Sequence, residues 1–383
     1  MKITSDMPLN QRTQTFLLLL LSWIGLVTAY KTLTNETLTL LPRPGNDFNI
    51  HHGKLLAPIL KPRVPETGNS TAVRNHFVKF FHDTLPDWKI ELHNSSAKTP
   101  LSHQKETRFV NFVASRDPPE VYPGNVGRLT VVAHYDSKVT PKGFIGAIDS
   151  AAPCAIIMHA VRSIDKALTR KWNSVHVAAD QQRHRKVEGI QVIFTDGEEE
   201  LGDGSDPGDS LYGSRALAQD WASQKYAQGS TYTSRINSIA LFVLLDLLGS
   251  PRPRIPSSFK ETHDAYQHLA RLEIRLAELN LMKSSEMWGT WFVDANKRTE
   301  ELYPLGITDD HVPFLKHGVD VLHLIDYDWR RGGFPEVWHT LDDDAQHLEM
   351  AVVEDWSLLL TGFIAEWLEL EGYMDDRDEM AGR

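Results

Sequence analysis

The chain has 383 residues, 41% hydrophobic and 24% charged, with a formal net charge of −11 and a single cysteine, Cys154. That balance describes a soluble globular protein able to bury a large core, not a disordered or fibrous one. It argues against nucleic acid as a partner, which needs a concentrated basic footprint, and a lone cysteine excludes both an intramolecular disulfide and a four-thiolate zinc site.

The N-terminus opens with a polar start carrying Lys2 and Arg12, then an apolar run over 16–29 that ends in small residues. This is the layout of a secretory signal peptide over 1–29, cleaved after Ala29. The run falls short of the roughly 20 apolar residues that span a bilayer, so an uncleaved anchor is the alternative. Asn-x-Ser/Thr sequons at Asn35, Asn69 and Asn94 suit a secreted chain.

Residues 30–58 are polar and punctuated by proline, and read as an arm lying on the domain or a partly ordered lead-in. A single catalytic domain is expected over 59–383, because no linker-like stretch divides it. Helical spacing of Val73, Phe77, Phe80 and Phe81 predicts a helix over 71–85, followed by an alternating strand over 88–92. Aliphatic runs at 129–133, 190–194, 239–245 and 319–325 predict buried strands, with helices over 152–168, 211–221, 259–281 and 345–370. Strands alternating with amphipathic helices imply a three-layer α/β/α sandwich around a central, mostly parallel sheet. Its active site should lie at the carboxyl ends of the strands. The short basic runs at 183–186 and 330–331 read as solvated loop faces.

Chemistry-bearing residues do recur there: His134 and Asp136, Asp149, Asp196 with Glu198, Glu199 and Glu200, Asp246, His323, and Trp338 with His339. Taken singly, each acid is an ordinary loop charge or helix cap. As a set, oxygen and imidazole donors arriving from successive strand ends are what a zinc site in an open α/β sheet requires. In an extended loop Glu198 and Glu199 point opposite ways, so one can bind metal while the other faces substrate. A carboxyl desolvated among other acids holds its proton more tightly, which suits general acid/base work.

The blocks His134-Tyr135-Asp136-Ser137-Lys138, Asp149-Ser150-Ala151-Ala152-Pro153-Cys154, Asp196-Gly197-Glu198-Glu199, Asp209-Ser210-Leu211-Tyr212-Gly213-Ser214, Leu244-Leu245-Asp246-Leu247-Leu248-Gly249, Asp309-Asp310-His311-Val312-Pro313-Phe314-Leu315 and Phe334-Pro335-Glu336-Val337-Trp338-His339-Thr340 resemble the signature blocks of animal-type glutaminyl-peptide cyclotransferases, in the same order. The resemblance implies a zinc aminopeptidase-like scaffold with one zinc per chain, held by Asp149, Glu199 and His339. It implies closure of an N-terminal glutamine, with glutamate as a second class, into pyroglutamate with loss of ammonia. Zinc would polarise the γ-carbonyl and Glu198 would carry the proton. Asp246 and Asp309 would form a hydrogen-bonded acidic pair near Glu198. Trp338, Phe334 and Ile307 would wall the substrate, and His323 would orient substrate, support a ligand or simply fill the core. A monomer acting on peptides or proteins, with no nucleic-acid or membrane partner beyond the N-terminal anchor, completes the expectation.

Departures from the family pattern lie in the 200–208 loop, which lacks an aromatic, at Thr308, in a longer 326–333 loop carrying Trp329, Arg330 and Arg331, and at Ala133, which leaves Cys154 without a disulfide partner. Two rival readings stay open. A dinuclear zinc aminopeptidase could use His134, Asp149, Glu199, Asp246 and His339. A non-enzymatic binding module on the same scaffold is the other, though the retained Glu198 and full ligand set speak against it.

Overall fold

Strand β3 (Val126–His134) is buried along its whole length, as a strand covered by helices on both faces must be. A computed structural model of the chain describes residues 31–102, 105–174, 187–202, 205–206 and 208–375. The expected signal segment 1–29 and the basic run 183–186 lie outside the described residues. The other strands are β1 (Lys89–Ala97), β2 (Thr107–Arg116), β4 (Val187–Thr195), β5 (Ile239–Asp246) and β6 (Val321–Ile325). They form one sheet in the order β1-β2-β4-β3-β5-β6. The pairs β4/β3, β3/β5 and β5/β6 are parallel, while β2 runs antiparallel to both its neighbours. The carboxyl ends of β3, β4, β5 and β6 therefore share one edge.

The helices are α1 (Asn35–Thr39), α2 (Gly68–Thr84), α3 (Ala152–Ser174), α4 (Tyr212–Ser223), α5 (His263–Glu278), α6 (Ser285–Trp288), α7 (His311–Leu315) and α8 (Met350–Trp367). Alternation along the strands divides the core in two. Leu129, Val131 and Ala133 of β3, with Leu241, Val243 and Leu245 of β5, meet α2, α3, α5 and α8 on one face. Val132, Phe242 and Leu244 meet Leu217 and Trp221 of α4 and Phe314 of α7 on the other. This is the expected three-layer sandwich with a mostly parallel sheet.

Helix α2 starts where the Thr67 hydroxyl accepts the Ser70 N–H at 3.2 Å, and docks through Phe77, whose ring lies 4.4 Å from Phe194 and 5.8 Å from Phe112. Removing such a ring costs about 3–5 kcal/mol. The 31–58 segment packs on this same face: Leu33, Leu38, Leu41, Phe48, Leu55 and Leu56 are all core residues. Buried Glu366 of α8 fastens its start by accepting the Leu33 N–H at 2.8 Å while Arg275 pairs with the same carboxylate at 3.1 Å.

The short helices α1, α6 and α7 have no counterpart among the expected elements, and of the described strands β2 alone has none. Its apolar run is interrupted by Asn111, which is fully buried. The side chain of Asn111 accepts the Asp196 N–H and donates to Gly213 O, both at 2.9 Å. The residue that blurs the strand in the sequence is the one that anchors the loop after β4.

Candidate metal centre and active site

After β3 the chain turns through Gly146 (φ 63°) into Ala147–Ala151, where Asp149 has non-helical φ −116° and ψ 74°, before α3 begins. This turn is held from below by Arg63, whose side chain is fully buried. Its guanidinium donates to Tyr135 O at 2.6 Å, Gly146 O at 3.2 Å, Asp136 O at 3.3 Å and Asp149 O at 3.4 Å, and also to Ile145 O. From the other side Asp343 accepts the Ile148 N–H on its carboxylate at 2.8 Å and the Ala147 N–H on its carbonyl at 3.1 Å. Asp343 sits four residues after His339, so it ties the loop bearing one ligand candidate to the loop bearing another.

After β4, Gly197 has φ +76°, and a Cβ there would stand 2.4 Å from the Phe109 ring. Only glycine fits, which explains the Asp-Gly-Glu-Glu spelling. The Asp136 carboxylate accepts the N–H groups of both Glu198 and Glu199 at 3.1 Å. Asp196 faces away from the site and accepts the Val110 N–H at 2.9 Å. Burial, reinforced by Asp136, pushes Asp196 up to about 8.

Asp149, Glu199 and His339 converge, with donor atoms all within 4.8 Å of one another. His339 Nε2 lies 3.5 Å from Asp149 Oδ2 and 3.5 Å from Glu199 Oε2. Asp149 Oδ2 and Glu199 Oε1 are buried and accept no hydrogen bond. His339 itself has φ +58°, uncommon outside glycine and the mark of a side chain held in place by its surroundings. Burial, then the Asp149 charge, raise Glu199 to about 7. Burial works against a charged His339, but Asp149 and Glu199 outweigh it and lift the imidazole to about 9. Two buried carboxylates with unmet oxygens beside an imidazole fit a divalent ion. Ligand atoms around one tetrahedral zinc stand about 3.3 Å apart, close to the spacing seen.

His134, Asp149 and Asp246 also bring donor atoms within 4.8 Å. Here His134 Nε2 is 2.8 Å from Asp149 Oδ1, a hydrogen bond that leaves no gap for an ion between them. Burial opposes charge on His134, yet Asp136, Asp149 and Asp246 outweigh it and raise its pKa well above the usual value.

Asp246 and Asp309 do not form the expected hydrogen-bonded pair. Ser150 Oγ donates to Asp246, whereas Asp309 accepts from His323 Nε2 at 2.8 Å and from the Asp310 N–H at 2.6 Å. Each acid has found a donor of its own, which satisfies a buried carboxylate better than a second carboxylate can. They still interact through space: burial raises Asp246 and the Asp309 charge adds to it. Burial also opposes charge on Asp309, but His323 outweighs it and holds Asp309 low. His323 is buried on β6, against the His311 ring at 4.6 Å, and so stands behind Asp309 and not on an open face. Glu198 is partly exposed and its carboxyl bonds to no group among the described residues. Burial first, then Asp309, Glu199 and Asp310, push its pKa well up against the pull of His134.

Phe334, Trp338 and Ile307 are each half-buried and packed on the main core. Ring centroids run from Tyr327 to Phe334 at 5.2 Å, Phe334 to Trp338 at 4.3 Å and Trp338 to His339 at 3.9 Å, a continuous aromatic ledge ending on the candidate ligand His339.

Residues 118–364 match peptidase family M28. The chain is similar to bovine (Bos taurus) glutaminyl-peptide cyclotransferase, 36% identical over 321 residues, covering 82% of this chain and 81% of the relative. It is 38% identical to the mouse (Mus musculus) glutaminyl-peptide cyclotransferase-like protein, covering 83% and 75%. The chain belongs to the glutaminyl-peptide cyclotransferase family. A solved glutaminyl cyclase from Macrostomum lignano superposes with a TM-score of 0.69 at 26% identity, covering 88% of this chain and 92% of that one.

Within this glutaminyl-peptide cyclotransferase family site, the roles of four residues escaped the sequence reading. Asp136 stood in a motif block without a role. Arg63 lies in a proline-rich lead-in that carries no motif, and Asp343 is one of three consecutive acids. Lys138, whose Nζ stands 3.4 Å from Glu199 Oε2 and from Glu200 Oε2, compensates the ligand cluster from its rim. Only the Asp136 spacing after His134 offered a signal. Cys154 is buried, donates weakly to His134 O at 3.3 Å and is pushed up to about 12 by burial, so it is inert.

Proposed function

We propose that this protein is a zinc-dependent glutaminyl-peptide cyclotransferase that converts the N-terminal glutamine of peptides and proteins into pyroglutamate and releases ammonia. The observation that carries the reading is a site with one ion's worth of unmet donors, Asp149, Glu199 and His339, beside an unbonded carboxyl at Glu198. When bound, zinc supplies Lewis-acid polarisation of the γ-carbonyl oxygen. The substrate's own neutral α-amine forms the new C–N bond, and the C–N bond of the γ-carboxamide breaks. Glu198 takes the proton from the amine nitrogen and returns it to the departing nitrogen, so that ammonia leaves. Its high proton affinity, caused by burial and the neighbouring acids, suits both halves of that transfer. Asp309 raises the proton affinity of Glu198, Asp246 interacts with Asp309 through space, and His323 fixes Asp309. The ledge of Phe334, Trp338 and Ile307 holds the glutamine side chain and keeps water from competing.

A dinuclear aminopeptidase is the second reading, favoured by the His134, Asp149 and Asp246 grouping. The 2.8 Å bond between His134 and Asp149 weighs against it. Metal analysis separates the two: one zinc per chain with chelator-sensitive ammonia release supports cyclisation, while two zincs with release of free amino acids would overturn it.

The protein acts as a monomer in the secretory pathway. Asn35, Asn69 and Asn94 are all exposed, as glycan acceptors must be, and no described helix is long and apolar enough to cross a membrane.

A further inference from the structure

Two turns at the carboxyl ends of β5 and β6, together with α6, build a rim of indoles and guanidiniums that the chemistry above does not use. Arg252 lies with its guanidinium 5.1 Å from the Trp288 ring centroid, and Arg330 lies 5.3 Å from that of Trp329. The turns are fastened together: Arg331 Nη1 donates to Arg252 O, and the Tyr327 N–H donates to Arg254 O, both at 2.9 Å. The acids of this region are taken. Arg331 reaches Asp326 at 2.9 Å and Asp328 at 3.6 Å, and Arg254 lies 3.5 Å from Asp328. Arg252 and Arg330 are exposed and have no acid partner among the described residues; the exposed Glu286 and Glu336 are bonded to neither. Trp329 itself is 72% exposed.

A guanidinium laid on an indole loses much of its rotamer freedom and keeps its N–H edges free, a prepared fork for a carboxylate. The rim is also close to the site. Asp328 pairs with Gly333, the residue before Phe334, so Trp329 and Arg330 begin one residue beyond the aromatic ledge. An extended peptide advances about 3.3 Å per residue, so the rim lies within reach of residues that follow the glutamine and leave along the ledge.

We propose that Arg252 and Arg330, each held on its indole, form a subsite for acidic side chains downstream of the cyclising glutamine. The inference rests on the cyclisation reading and names the peptides that reading would favour. It runs against the molecule's overall field: a net charge of −11 by itself draws basic peptides, so the sign of the preference is decisive.

The test uses the purified zinc-loaded chain and three glutamine-initiated hexapeptides that differ only at residues three to five, made acidic, neutral or basic. Ammonia release gives kcat/KM for each, at low and at high ionic strength. The acidic tail should exceed the neutral one by about fivefold at low salt, with the gain shrinking as salt screens it. The double variant Arg252→Gln/Arg330→Gln should lose that preference through KM, with kcat on a glutaminyl dipeptide amide unchanged. Equal kcat/KM across the three tails, or a basic preference, overturns the subsite alone. No ammonia from any peptide overturns the cyclisation reading, and the subsite with it.

Discussion

The floor of the site and its rim are built by different means. On the floor, the turn carrying Asp149 is held at its carbonyls by buried Arg63 and at its N–H groups by buried Asp343, while Asp136 holds the two glutamates. On the rim, the 326–333 turn is tied by pairs whose arginines are partly exposed, Arg331 being 36% exposed and Arg254 33%. Buried charge bonded to backbone fixes a geometry to a fraction of an ångström, whereas surface pairs contribute little and leave room to adapt. A metal and its proton carrier need the first kind of support, and a surface that reads varied peptide tails needs the second.

The sharpest way to break this contrast is at the reacting group. Glu198→Gln should lower kcat by roughly 10²- to 10⁴-fold while zinc content and thermal stability stay as in the wild type, measured by ammonia release and metal analysis. The floor comes next. Arg63→Met leaves at least four carbonyls without their donor in a buried position, and should cost about 3 kcal/mol or more, read from denaturant midpoints of the metal-free protein. Asp343→Ala removes the acceptor that joins the two ligand loops. It should weaken zinc binding roughly 10- to 100-fold in a chelator competition, by analogy with other groups that orient ligands.

The smallest effect belongs to the rim and depends on pH. Burial, opposed by the Arg254 N–H and by Arg331, raises Asp326 to about 7. Its folded pKa lies above the unfolded one, so the native state binds the extra proton, and this residue's contribution to stability falls as pH rises from about 4 through 7. Asp326→Asn should flatten that dependence, with little change in kcat.

What could be seen in the sequence follows the same division. The parallel strands announce themselves because both faces are apolar, and the donors at their ends stand out because acids and histidines recur where a sheet presents ligands. Strand β2 was hidden because Asn111 breaks its run for the sake of a loop anchor. Arg63 and Asp343 were hidden because their task is to bond backbone groups far away in sequence, and no spacing rule encodes that. Resemblance pointed to Asp246 and Asp309 as an acidic pair near Glu198 but not to their donors, since which hydroxyl or imidazole reaches a carboxylate depends on packing between β5, β6 and the turn at Ser150.

We expect one metal ion and the unbonded Glu198 carboxyl to close the glutamine onto itself. Ammonia release from a glutamine-initiated peptide should be followed in purified protein before chelation, after it, and after titration with zinc. Activity should vanish on chelation and return in full at one zinc per chain. Ammonia release that survives complete metal removal, or that requires a second zinc, would contradict the account.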